Sequence, residues 1–197
     1  MGANVYLKGV SGIGYKTATA ATAIVQYVQP KSGARLCVRA FGMTCGATAT
    51  NVYFMTPLGG SQALSAAVAS GATTGFATAA EIQTSANALA SADYIAVQLD
   101  NGQYQFTTVA TGTYAAFSLS AALTDTVAAG NLVWGFGIAT DTTHYRVVLT
   151  VSAQTARAID GGLIYGSAKG APMIVYHNND AALAGSQDYV AIDFIDK

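Results

Sequence analysis

The sequence predicts an all-β protein, an antiparallel β-sandwich or barrel of about eight to eleven short strands with little helix. Three observations lead to this prediction. Apolar and polar residues alternate with a period of about two, rather than about 3.6, along most of the chain. The alternating segments are rich in β-branched and aromatic residues. Gly, Asn, Asp or Pro interrupts them at short intervals, as between the strands of sandwiches and barrels.

The alternating pattern marks about eleven candidate strands. In chain order they are Thr22–Val28, Ala34–Met43, Thr48–Met55, Tyr94–Leu99, Gln103–Val109, Tyr114–Leu119, Leu132–Ile138, His144–Ser152, Gly162–Gly166, Met173–His177 and Tyr189–Ile195. Pro30 follows the first segment and Pro57 the third, and a residue without a backbone N–H is typical of the place where strand pairing ends.

Helix is expected in two short segments at most. Ser61–Ser70, SQALSAAVAS, is rich in Ala and Leu, which favour helix. Ser61 is suited to an N-cap, and Gly71 stands where a C-terminal glycine belongs. Ala79–Ala90 is a weaker candidate. Loops are the alternative for both segments.

Asp100-Asn101-Gly102 is the strongest turn signal in the chain. The flanks YIAVQL and QYQFTTV alternate on both sides of it, so the stretch predicts a β-hairpin. Asn and Gly both tolerate positive φ, which predicts a type I′ turn.

The length of 197 residues suits one sizeable domain or two small ones. We predict a single β-rich domain over residues 21–197, preceded by an extended N-terminal arm over residues 1–20. The stretch VSGIGYKTATAATA is rich in Gly, Ala and Thr and offers few side chains to anchor it. The arm is therefore a loose terminus, or a segment that orders against a neighbouring subunit.

Export and membrane insertion are not expected. The sequence shows no secretory signal and no apolar run of about 18 residues. Cys37 and Cys45 lack the spacing of a zinc site and are predicted to be small buried hydrophobes. Synthesis in a reducing cytoplasm is consistent with two unpaired thiols.

Charged residues are scarce and unevenly distributed. They form 10% of the chain, which suggests that much of the surface meets protein, since interfaces are depleted in Lys and Glu. Residues 1–80 contain no acid, whereas residues 81–197 contain all ten acids and four bases. The asymmetry is explained either by chance and solvated loops or by complementarity with a neighbouring subunit or acidic scaffold. The candidate contact residues are Lys8, Lys16, Lys31, Arg35 and Arg39. These bases form no run, so nucleic-acid binding is not expected.

Groups suited to catalysis or metal binding are few. The chain has two histidines, His144 and His177, and neither lies in a metal or hydrolase motif. The phrases around Asp93 and Asp188 resemble one another, which raises the hypothesis of paired carboxylates. Each Asp instead suits a loop residue just before a strand, where its carboxylate accepts backbone N–H groups. We therefore expect no enzymatic activity, metal or cofactor.

The aromatic residues offer an alternative function. Aromatic side chains at strand spacing form cores and cross-strand pairs, but an exposed row of them would stack on sugars. The residues concerned are Tyr53, Phe54, Tyr104, Phe106, Tyr114, Phe117, Trp134 and Phe136.

The stretch YIAVQLDNGQYQFTTVATGTYAAFSLSAALTDTVAAGNLVWGFG, with GAPMIVYHNNDAALAGSQDYVAIDFIDK after it, resembles virion structural proteins of tailed bacteriophages. The shared features are a strand, Asp-Asn-Gly, strand unit, an Ala-Ala-Gly-x-x-Val turn and an aromatic strand. The similarity covers about the C-terminal 110 residues and brings no catalytic residue.

This resemblance implies a small β-rich accessory protein of the particle, such as a capsid decoration (cement) protein. Its expected location is the virion, and its expected partners are the major capsid protein and copies of itself, with no nucleic acid or membrane. The alternatives are a glycan- or receptor-binding module on a tail or head fibre, and another tail or neck structural protein.

Overall fold

A computed structural model describes residues 13–17, 25–30, 34–44, 50–82, 89–113, 116–137, 147–151, 156–159, 165–166, 168–177 and 187–195. These residues form antiparallel sheets and contain no helix, which confirms the predicted all-β fold.

Fourteen strands lie within the described residues. They are β1 (Ile13–Thr17), β2 (Val25–Val28), β3 (Arg35–Thr44), β4 (Thr50–Met55), β5 (Gln62–Ala63), β6 (Tyr94–Gln98), β7 (Tyr104–Thr113), β8 (Ala116–Leu119), β9 (Leu132–Gly137), β10 (Val147–Val151), β11 (Ala156–Ile159), β12 (Tyr165–Gly166), β13 (Met173–His177) and β14 (Gln187–Ile195). Each of the eleven predicted segments overlaps one of them, β3, β7 and β14 extend beyond the predicted bounds, and β1, β5 and β11 are additional.

The chain divides into two compact units, residues 57–144 and the remaining residues 1–56 with 145–197. We call them the inserted unit and the host unit. β4 and β10 of the host unit pair antiparallel, with Phe54 opposite Val147. The inserted unit therefore occupies the connection between two neighbouring strands. The predicted division into an arm and one domain stays a prediction, and residues 13–17 of that arm form β1, which pairs with β14.

The host unit contains two sheets. One has the order β1-β14-β3-β11, with β12 also paired to β3, and the other has the order β10-β4-β13-β2. A bulge between Ala191 and Ile192 interrupts the long ladder between β14 and β3. β13 lies between two partners, and its consecutive residues Met173–Val175 are fully buried, so both faces of this strand are covered.

The inserted unit contains one sheet, in the order β5-β9-β6-β7-β8. Ile95, Val97 and Val133 project from one face into an apolar core, as strand alternation requires. Residues from outside the strands complete this core, and its members also include Leu64, Val68, Phe76, Ile82, Leu89, Leu99, Val109, Phe117, Leu119, Leu123 and Val127.

Residues 64–78 cover the core and join the two edges of this sheet. Val68 and Val127 exchange both backbone hydrogen bonds (2.9 and 3.0 Å), and Gly130 N–H donates to Leu64 O (2.9 Å). Further along, Phe117 N–H donates to Phe76 O at the edge of β8 (2.9 Å). We call residues 64–78 the closing segment, because they pair with the connection before β9 at one end and with β8 at the other.

The closing segment corrects the helix predicted for Ser61–Ser70. Leu64 and Val68 do face the core, but their backbone groups pair with residues about 60 positions away along the chain. Tertiary pairing thus overrides the weak helix preference of Ala and Leu. In the second candidate, Ala79–Ala90, residues 79–82 and 89–90 are not helical, and residues 83–88 lie outside the described part.

The β6–β7 hairpin is present, but its turn differs from the prediction. Gly102 N–H donates to Leu99 O (2.9 Å), and Leu99 N–H donates to Gln103 O (2.8 Å). Gly102 has φ of 83°, whereas Asn101 does not have positive φ. This is the pattern of a type I turn followed by a G1 bulge, a three-residue loop, and not the predicted two-residue type I′ turn.

Gly112 of β7 lies opposite Phe117 of β8 in the strand register. A β-carbon there would overlap the carbonyl oxygen of Ala116 and the Cα atom of Phe117, and the residue has φ of 113°. Only glycine avoids both problems. The ring of Phe117 stacks on that of Phe76, with the ring centroids 5.5 Å apart.

We expect Gly112→Ala to destabilise the inserted unit. Its backbone conformation alone costs a non-glycine residue about 1–3 kcal/mol, and the overlap with β8 adds to this cost. Gly60→Ala is the matched control, because nothing lies within 4 Å of its β-carbon position. Urea unfolding measures both free energies. Equal stability of the two variants would contradict the close approach.

Candidate functional site

The five predicted contact bases are only partly described. Lys8 and Lys31 lie outside the described residues. Lys16 is on β1, opposite Asp188 of β14 in the strand register. Arg35 and Arg39 are both on β3, and Arg35 is exposed. These positions leave their role as contacts a prediction.

Charge is segregated between the two units more sharply than between the two halves of the sequence. Residues 57–144 contain five acids and no Lys or Arg, which gives a formal charge of −5. The host unit contains the nine bases and the other five acids, which gives +4. The inserted unit therefore has no lysine or arginine with which to neutralise its carboxylates.

Asp93 is a structural acceptor of hydrogen bonds. It is buried just before β6, and Ala90 N–H donates to its Oδ2 (2.8 Å). Asp93 N–H donates back to Ala90 O (3.2 Å), which closes a tight loop in which Ala92 has φ of 70°. This confirms the predicted role of Asp93 as a loop residue.

Asp188 does not have the same place as Asp93. It is the second residue of β14, within the strand, and it belongs to the host unit. The prediction of one loop-to-strand element used twice is therefore wrong. The two similar sequences place their Asp differently because β14 begins at Gln187, two residues before the start that the alternation predicts.

Asp100 fixes the β6–β7 hairpin to the connection that precedes β9. Its Oδ2 accepts the Thr126 hydroxyl (2.7 Å). Its Oδ1 accepts Ala128 N–H (2.7 Å) and Asn131 Nδ2 (2.8 Å). Asp100 N–H also donates to Thr126 O (3.0 Å). We call these four contacts the Asp100 latch.

The latch lowers the pKa of Asp100 below its ordinary value of 3.8. The hydrogen bond from Thr126 is the largest cause, desolvation acts in the opposite direction, and the donors of Ala128 and Asn131 lower the pKa further. The ionised carboxylate is thus the form that the fold favours. This is a carboxylate engaged in structure and not one prepared for acid–base chemistry.

The predicted aromatic platform is buried in most of its described members. Trp134, Tyr104 and Phe117 are at most 8% exposed, and Phe136 and Phe54 are fully buried. Trp134 Nε1–H donates to Tyr104 Oη (3.1 Å), and burial raises the pKa of Tyr104. Tyr53 is likewise buried, Phe106 is half-buried, and Tyr114 lies outside the described residues. Rings in this arrangement act as core and cross-strand pairs.

A surface of small uncharged residues covers the inserted unit where the closing segment pairs with the connection before β9. Every exposed position in residues 59–75 and 120–130 is Gly, Ala, Ser or Thr. The backbone pairing places these two ranges side by side. We call them the small-residue surface. The surface is not among the sites predicted from the sequence, although the absence of charge from residues 40–80 is a signal for its first range.

A shallow open groove of about 390 Å³ adjoins this surface. Phe76 and Phe117 lie at the groove, both nearly fully buried, and Thr74, Thr111 and Ser118 supply hydroxyls at its walls. Thr111 Oγ1 and Ser118 Oγ are already paired at 2.7 Å. The groove therefore offers small polar groups and short apolar contacts, and its lining contains no ionisable side chain.

The part of the chain that the structure describes has few features of a metal site or a membrane span. It contains no cluster of three or more His, Cys, Asp or Glu side chains able to hold a metal ion. It also contains no helix with the length and apolar character to cross a membrane. His177 is the last residue of β13, and His144 lies outside the described residues.

No family model matches the chain, and comparisons with curated proteins and with solved structures give no match either.

We expect Asp100→Ala to lower the free energy of unfolding at neutral pH, because it removes the acceptor of the latch. Asp125→Ala is the control, since this carboxylate accepts only the adjacent Thr126 N–H among the hydrogen bonds seen. Because the pKa of Asp100 is lower in the folded than in the unfolded protein, its ionised carboxylate stabilises the fold at pH values above the unfolded-state pKa. This stabilisation is lost as the pH falls through the folded-state pKa, where the carboxylate becomes protonated. The difference between wild type and Asp100→Ala should therefore shrink at acid pH. Urea unfolding at neutral and acid pH tests this, and a pH-independent difference would contradict it.

Proposed function

We propose that the chain is a non-enzymatic structural protein of a virion, a capsid decoration (cement) protein that binds the phage head and bridges major capsid subunits. The resemblance in the C-terminal 110 residues motivates this proposal. The observation that carries it is the small-residue surface of the inserted unit, because its exposed positions hold no charged side chain and charged residues are depleted at the core of protein interfaces.

Small side chains suit a repeated protein interface for two reasons. Gly and Ala lose almost no side-chain entropy on burial, and Ser and Thr lose little, so ordering such a surface costs less than ordering Lys or Glu. Short side chains also allow a partner backbone to approach closely and to exchange hydrogen bonds. Each contact is modest in energy, but many symmetric copies on a shell act together.

The charge segregation supports oriented binding. A unit of −5 and a unit of +4 present opposite signs to a partner. Complementary charge governs orientation and association rate more than affinity. A capsid surface with the matching pattern would receive the two units in one orientation, and the predicted contact bases all belong to the host unit.

The functional groups described support a binding role over catalysis. Asp93, Asp100 and Asp125 each accept at least one backbone N–H. The groove beside the small-residue surface contains no nucleophile paired with a base, which acyl or glycosyl transfer would require. A decoration protein stabilises the shell only by preferring the assembled state.

The purified protein should bind expanded heads and not procapsids, and heads that lack it should break at a lower temperature. Co-sedimentation and a thermal release assay measure these two properties. Binding to a sugar array without heads would favour the glycan-binding alternative. No head binding together with unchanged heat resistance would refute the proposal.

We expect Ala67→Lys to weaken head binding, because it places a long charged side chain in the small-residue surface at an exposed position. Ala79→Lys is the matched control, also exposed in the inserted unit but outside that surface. Burying one unpaired ammonium should cost at least about tenfold in affinity. Equal binding by both variants, with equal unfolding free energies, would exclude this surface as the contact.

A further inference from the structure

We propose that Asn101 is the site at which this chain undergoes spontaneous deamidation and backbone isomerisation, and that the Asp100 latch controls the rate. The chain has seven asparagines, and only Asn101 precedes glycine. Both Asn101 and Gly102 are exposed, and no atom lies within 4 Å of the β-carbon position of Gly102. The dipeptide is therefore at the surface, and Gly102 has no side chain of its own to hinder the attacking nitrogen.

The chemistry requires only water and a base. The backbone nitrogen of Gly102 loses its proton to the base and attacks Cγ of Asn101, and a new C–N bond closes a five-membered succinimide. The bond from Cγ to Nδ2 breaks, and the nitrogen leaves with a proton as ammonia. Water then opens the ring at either carbonyl, which gives aspartate or isoaspartate. Nothing is oxidised or reduced.

The closed hairpin holds both reacting groups away from this step. The attacking nitrogen is a donor, since Gly102 N–H is bonded to Leu99 O (2.9 Å). The target carboxamide is held as well, because its Oδ1 accepts Gln103 N–H (2.9 Å). Loss of the Gly102 proton and rotation of the carboxamide toward Gly102 would break both hydrogen bonds. The reaction must therefore begin from an opened turn.

The latch determines how often the turn opens. Asp100 precedes Asn101 directly, and its carboxylate is bonded to Thr126, Ala128 and Asn131 across the connection before β9. When opening and closing are fast, the observed rate is the rate of the open turn multiplied by its population. Removing the Asp100 carboxylate should therefore raise the deamidation rate of Asn101, although this carboxylate takes no part in the reaction itself.

The isoaspartate product cannot rebuild the same turn. Isoaspartate carries the main chain through the former side-chain carbon and adds one backbone atom to a three-residue loop whose pairing is fixed at Leu99 and Gln103. The carboxylate of Asp100 then loses its alignment with the three donors. Each event is permanent without repair, so the extent of modification increases with the total time that the turn of a protein molecule has been open.

The wild-type protein gives the first test. It is kept in mildly alkaline buffer, with and without urea, and Asn101 is followed by peptide mass spectrometry. We expect deamidation in the folded protein to be at least about tenfold slower than in the unfolded chain. Asn101 should be the first asparagine to react in urea. Equal rates in both conditions, or earlier reaction of another asparagine, would overturn the proposal.

Variants separate the latch from the local sequence. Asp100→Ala should deamidate at least about threefold faster than Asp125→Ala in native buffer, and the two should react alike in urea. Gly102→Ala should slow the reaction in urea, because its methyl group hinders the nitrogen. If Asp100→Ala does not fold, wild type at graded sub-denaturing urea replaces it, and the rate should follow exchange of the Gly102 amide hydrogen. The latch would be excluded as the control by deamidation rates that do not correlate with exchange of the Gly102 amide hydrogen. Equal deamidation rates of the two Asp variants in native buffer would exclude it as well.

Discussion

The inserted unit depends on one long-range interaction, the backbone pairing of the closing segment with residues 117–131. Without it, Leu64, Val68 and Val127 would lose their places in the core, and the two edges of the sheet would be open. The pairing gives hydrogen-bond partners to backbone N–H and C=O groups in segments that are not regular strands. Buried backbone groups require such partners. The rest of the unit follows from this closure: the Asp100 latch holds the hairpin to the same connection, and the Phe76–Phe117 stack forms where the segment reaches β8.

The same pairing brings the two ranges of the small-residue surface together. Their exposed positions are Gly, Ala, Ser or Thr, although nothing lies within 4 Å of a β-carbon placed at Gly60, Gly71, Gly75 or Gly130. Packing within the chain therefore does not require a short side chain at these four positions. Short side chains leave the backbone accessible to a partner. A composition that favours helix in the sequence therefore belongs, in the structure, to an irregular paired surface, and binding to a partner is the function proposed for it.

Sequence analysis succeeds where the determining interaction is local and fails where it is distant. Alternation along a strand is local, so all eleven predicted segments overlap strands. The helix at Ser61–Ser70 fails because its backbone partners lie near Val127, far along the chain. The turn after Leu99 was located correctly, but the carboxylate of Asp100 is held by Thr126 and Asn131, and no rule for the Asn-Gly dipeptide includes those donors. In the candidate site, Asp93 was assigned correctly from its neighbours, whereas the small-residue surface requires knowledge of which segments pair.

The division of charge has a consequence for how the inserted unit is stabilised. With no Lys or Arg in residues 57–144, its five acids have no such partner within the unit. Asp93 and Asp100 are instead satisfied by backbone N–H groups, a hydroxyl and an amide, which are dipoles and are only weakly affected by salt. Long-range electrostatics is thus left for contacts with other molecules. The hydrogen bonds of Asp93 and Asp100 should therefore vary little with ionic strength, whereas association with an oppositely charged partner should depend on it strongly. This difference would suit the decoration role proposed for the chain.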